Sequence, residues 1–115
     1  SHFYWQGIEY IQPIWDFRDR IYHAHAKDTE LLAGARNRYG IFGRQLNATI
    51  PESWWRYRLP GYGGVDWPRY LDTLYQVGYD AVLAVEHEDP VWSDTPELAL
   101  RGLELARNFL QPMLA

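Results

Sequence analysis

Residues 81–86, AVLAVE, form an unbroken apolar run that turns to charge at Glu86 and continues as HEDP. A run without polar alternation suits a strand covered on both faces, which is the habit of parallel sheets flanked by helices. The segment before it, DWPRYLDTLYQVG (66–78), predicts such a helix. Asp66 stands at the N-cap and Pro68 in the first turn. Trp67, Tyr70, Leu71, Leu74 and Val77 make one apolar stripe, and Gly78 supplies the stop. A second short β-rich stretch, RIYHAHA (20–26), also ends in a polar cluster, His-Ala-His-Ala-Lys-Asp. The alternation is that of β/α units. Both strands deliver ligand-capable side chains at their C-terminal ends, where parallel α/β folds bind ligands.

The rest of the chain is less periodic. Residues 7–18 place Ile8, Ile11, Ile14, Trp15 and Phe17 at near-helical spacing. Pro13 opposes that helix, since proline beyond the first turn costs about 3 kcal/mol. From Lys27 to about Gly64 no clean period exists, and the stretch is rich in Gly, Arg and Trp. A connection of that length is expected to be a functional lid. After the second strand, Asp94 and Glu97 form a D-x-x-E capping box ahead of a helix reaching about Leu110. The expected order is helix, strand, long loop, helix, strand, helix, without repeats or low-complexity segments.

Composition excludes several classes. A chain of 115 residues fits one small domain. Six Trp and nine Tyr within 17% aromatics imply stiff side chains at a core, a pocket mouth or a subunit contact, the last admitting a homo-oligomer. A net charge of −4 argues against nucleic acid as a partner. The absence of cysteine rules out disulfides, thiolate metal sites and a Cys nucleophile, and fits a cytoplasmic chain. No stretch approaches the roughly 20 apolar residues needed to span a membrane. The opening SHFYWQGIEY has no initiator Met and no signal-peptide profile, and reads as the middle of a longer polypeptide.

The polar clusters each admit a functional and a structural reading. His23 and His25 lie two apart, so on a strand they share a face, and imidazole is the commonest neutral ligand for Zn, Mn or Fe. Two partly buried histidines bonded to backbone would give the same pattern. Glu86, at the top of a buried strand, needs a cation or several donors. Metal ligation, an ion pair with Arg and acid/base catalysis all meet that need. Glu88 and Asp89, just before Pro90, read as solvated or capping. Lys27 either pairs locally with Asp28 or reaches a substrate oxygen. Arg56 and Arg58, inside WWRYRLPGYGG, either stack on aromatics in a packed loop or meet substrate from a lid. His2 and Trp5 fall outside any period.

Taken in order, SHFYWQGI, RIYHAHAKDTEL, RYRLPGYGGVDWPRYLDTLYQVGYDAVLAVEHEDP and the closing helix resemble the last third of sugar phosphate isomerase/epimerase proteins. These are xylose isomerase-like TIM barrels, related to D-tagatose 3-epimerase, inosose dehydratase and endonuclease IV. The resemblance implies an α/β fold, the C-terminal portion of a (β/α)8 barrel, with residues 1–115 as a single partial domain. The family holds a divalent cation (Mn2+, Mg2+, Zn2+ or Co2+) with Glu, Asp, His and Glu at four strand ends. By resemblance His25 is the histidine ligand and Glu86 the last glutamate. His2 is similar to the histidine closing a D-x-x-H segment that contacts substrate. Arg36 is the nearest match to an arginine that some members carry after the metal histidine, but its spacing is longer and the role is not transferred.

The implied chemistry is isomerisation or epimerisation of a small sugar. A cation polarises the carbonyl and stabilises an enediolate. Glu86 acts as ligand and possible acid/base group, and Lys27 and Arg58 neutralise charge on substrate oxygen. Dehydration or β-elimination of a keto sugar would use the same parts. A closed barrel needs about 250 residues, so the missing N-terminal barrel portion is expected in cis or from another chain, and the isolated piece should be inactive. Two rival readings remain: a non-catalytic remnant binding carbohydrate or protein through its aromatic loop, and endonuclease-like cleavage, which the acidic balance disfavours.

Overall fold

The computed structural model describes residues 1–43 and 53–114. Two short helices open the chain, α1 (His2–Gln6) and α2 (Gln12–Asp16). The helical spacing of residues 7–18 therefore yields only five helical residues. Glu9 sets the start, its carboxylate accepting from the Ile11 amide at 3.0 Å and also from that of Gln12. Pro13 then falls in the first turn, where its missing N–H costs nothing.

Strand β1 (Ala24–Ala26) pairs in parallel with β4 (Leu83–Val85), with Ala24 opposite Leu83, His25 opposite Ala84 and Ala26 opposite Val85. The Glu86 amide extends this ladder by donating to the Ala26 carbonyl at 3.0 Å. Helix α4 (Trp67–Gln76) connects the two strands and its start is built as expected, Asp66 accepting from the Arg69 amide at 3.1 Å. The amides of Gly78 and Tyr79 bond back to the carbonyls of Tyr75 and Leu74, and Gly78 takes φ +78°, which a side chain would resist. Trp67, Leu71 and Leu74 of α4 bury against Ala24, Ala26, Ile14 and Leu110, with Leu83 and Val85 packed on this core. The β4 residues are each half-buried, so the run is less covered than its lack of alternation suggests.

The stretch read as a lid contains a second sheet. Strand β2 (Asp28–Leu31) begins one residue after β1 ends and pairs antiparallel with β3 (Trp55–Arg58), and helix α3 (Ala33–Tyr39) lies between them in sequence. Asp28 anchors the junction. Fully buried, it accepts from the amides of Thr29, Gly61 and Val65 and from the Trp67 indole at 2.7–3.0 Å. It makes these bonds in place of the local pair with Lys27. Gly63 is required by the same crowding, because a Cβ there would fall on the Asp28 carboxylate and the Thr29 carbonyl. The closing helix α5 (Pro96–Leu110) ends where expected, but its N-cap is Thr95, which accepts from the Leu98 amide at 3.2 Å, rather than Asp94.

Candidate functional site

Parallel pairing brings the two polar clusters together. In the β1–β4 register His25 faces Ala84, so Lys27 stands level with Glu86, and all four belong to one face of the pair. Ala24, Ala26, Leu83 and Val85 take the other face and pack on the core. The consequence is a contact across 61 residues of chain: His25 Nδ1 lies 3.2 Å from Glu86 Oε2. Lys27 Nζ donates to Glu86 Oε1 and to Glu88 Oε1, both at 2.8 Å. It also sits 3.9 Å from the centroid of the Tyr57 ring. The His23 ring meets His25 edge-on at 5.1 Å.

These groups differ sharply in exposure. The Lys27 side chain is 3% exposed, against 55% for His25 and 34% for Glu86. Burial works to lower the Lys27 pKa, but its two carboxylate partners outweigh that and leave it raised. The Lys27 ammonium in turn brings Glu86 down to about 2, against the opposing effect of burial and with help from Glu88 and His25. Glu86 is therefore a carboxylate, not a carboxylic acid, at neutral pH.

His2, His25, Lys27 and Glu86 line a cavity of about 520 Å³ whose remaining wall includes Phe3, Phe17, Trp67 and Tyr70. Arg58 is not on that wall. Its Nε donates to Asp89 and its Nη1 to Glu30, both at 2.8 Å. Arg56 shares Glu30 at 2.6 Å. Asp89, expected to be solvated or capping, is fully buried rather than solvated; it caps the turn after it by accepting from the Val91 amide, and also accepts from Arg58 and the Leu59 amide, all at 2.8–2.9 Å. Glu88, half exposed, turns to Lys27.

Two participants escape a sequence reading. Tyr57 lies in WRYR, whose period-two alternation of aromatic and arginine is the only signal that its ring faces away from the Arg56–Glu30 pair. Asp89 carries no signal at all, because its partner Arg58 is 31 residues away, at the end of β3.

An imidazole nitrogen and a carboxylate oxygen suit a divalent ion of the Zn, Mn or Co type. His25 Nδ1 and Glu86 Oε2 bond directly to each other at the cavity wall, and by donor type these two suit such an ion as part of a coordination set. Among the described residues no three His, Cys, Asp or Glu side chains gather closely enough to hold one.

Fold and site together define a β/α protein with ligand-capable groups gathered at the ends of parallel strands. The family model described as xylose isomerase-like TIM barrel matches residues 1–109, and the chain belongs to that family. No curated protein matches the chain. Among the described residues no helix is long and apolar enough to cross a membrane.

Proposed function

We propose that this chain forms part of a divalent-metal-dependent site that isomerises or epimerises a small sugar, with β1 and β4 as the last two strands of a (β/α)8 barrel. The observation that carries the reading is the 3.2 Å approach of His25 Nδ1 to Glu86 Oε2 on the cavity wall. Family membership supports it.

His25 and Glu86 would hold the cation, with further ligands from the remaining barrel, in cis or from another chain. When bound, such an ion polarises a sugar carbonyl. The protein residues supply the rest. Glu86 is ionised at neutral pH, and the Lys27 bond that keeps it so also makes it a weak proton acceptor, which favours the role of a ligand close to the reacting carbons over that of the base. Lys27 keeps it charged and places a cation beside any substrate oxygen that gains negative charge. His2, on the same wall, is positioned to bond a hydroxyl. Arg58 acts at one remove: held by Asp89 and Glu30, it fastens β3 to the loop after β4.

The test is a Mn2+ titration of the intact protein, wild type against His25→Ala and Glu86→Gln, followed by turnover of a ketose panel. Losing a direct ligand should weaken Mn2+ at least as much as losing an outer one, by tenfold or more, and remove turnover. Equal Mn2+ affinity in wild type and both variants would sink the proposal and leave the non-catalytic binding reading.

A further inference from the structure

The two oxygens of Glu86 are not equivalent. Oε1 accepts from Lys27 Nζ at 2.8 Å, while Oε2 faces His25 Nδ1 at 3.2 Å. What fixes this division is not on the β1–β4 pair. Lys27 lies between β1 and β2, nearly sealed from solvent, with its ammonium over the Tyr57 ring at 3.9 Å. That ring is itself confined. His2 packs against it at 5.5 Å and Trp55 at 4.9 Å. Glu88 Oε1 accepts a second hydrogen bond from Lys27 Nζ at 2.8 Å, so ring and second carboxylate together set where Nζ can sit.

We infer that Lys27 and Tyr57 are positioning residues that make Glu86 a one-oxygen ligand, and thereby bias the site against cations that favour two-oxygen carboxylate binding. This rests on the metal-site reading above. Ca2+ takes six to eight oxygens in flexible geometry and commonly uses both oxygens of a carboxylate. Smaller ions that accept an imidazole nitrogen are satisfied with one. Occupying Oε1 with a buried ammonium denies Ca2+ its second contact and leaves the nitrogen–oxygen pair intact.

A ratio of affinities separates this from simple charge. Removing the ammonium strengthens any divalent cation through lost repulsion, and does so about equally for ions of the same charge. Freeing Oε1 favours Ca2+ alone. The experiment measures Mn2+ binding directly and Ca2+ by competition on the intact protein. Lys27→Met is made in a Glu88→Gln background, so that a released Glu88 adds no donor. The Ca2+ to Mn2+ affinity ratio should rise about tenfold over Glu88→Gln alone. Tyr57→Leu, in the otherwise native protein, should raise it about threefold, whereas Tyr57→Phe keeps the ring and the wild-type ratio.

Parallel strengthening of both ions, with the ratio unchanged, would overturn the inference while leaving the metal site standing. So would a Tyr57→Phe ratio equal to that of Tyr57→Leu. Wild-type protein that binds neither ion overturns the metal site itself. If Lys27→Met fails to fold, the two Tyr57 variants still decide the matter.

Discussion

The parallel pair and the antiparallel hairpin carry similar charged residues and treat them in opposite ways. On the hairpin side the ionic groups close on one another. Glu30 takes Arg56 and Arg58, and Arg58 also reaches Asp89, which is fully buried and holds two backbone amides besides. At the ends of β1 and β4, His25 has one carboxylate contact and is more than half exposed, and Glu86 keeps an oxygen toward it at the cavity wall. A charge whose partners are all internal stabilises a structure. One left facing a cavity can meet a ligand. Burial alone does not separate the two cases, since Lys27 is nearly as buried as Asp89 and yet belongs to the open site.

The comparison breaks most readily at Asp89. Asp89→Ala leaves Arg58 and the Leu59 amide without their buried acceptor and should cost about 3–5 kcal/mol in denaturant unfolding. A loss below 1 kcal/mol would mean that the hairpin charges are not closed in solution. A smaller effect should appear with acid. Burial works to raise the Glu30 pKa, but Arg56 and Arg58 overcome it and hold it below the ordinary 4.5. Its contribution is thus present above pH 4.5 and lost as pH falls through the lower folded value. Glu30→Gln should flatten the fall in unfolding midpoint below pH 4.5. An unchanged acid slope would remove Glu30 from the network. The smallest effect belongs to the open site. His25→Ala should move stability by no more than about 0.5 kcal/mol, the usual range for exposed positions. A loss above 2 kcal/mol in the same titration would make the imidazole a structural group and erase the contrast.

Much of the parallel half is legible in the amino-acid sequence. The Asp66 cap, the stripe through Trp67, Leu71 and Leu74, and the stop at Gly78 are local signals, and local signals survive folding. The meeting of His25 with Glu86 was legible because parallel strands joined by a helix must bring their C-terminal ends to one side. The hairpin was not legible. DTEL and WRYR are four residues each, they pair across 23 intervening residues, and neither shows its partner. The start of α5 was misread by one residue because Asp94 and Thr95 are both good caps, and only the backbone decides between them. Burial of Asp89 depends on a guanidinium brought from β3, information that no window around EHEDP contains. The contact of His25 with Glu86 was thus readable from topology, whereas the Tyr57 ring beside Lys27 and the burial of Asp89 were not.

The chain passes from one sheet to the other through the single residue Lys27, and Asp28 pins that passage from four directions. Helix α3 follows beyond this fixed point, and most of its residues are exposed. Exchanges along that exposed helix can accumulate without shifting the ammonium, because surface substitutions usually move stability by no more than about 0.5 kcal/mol. Asp28 thus insulates the ammonium on one side of the junction from sequence drift on the other.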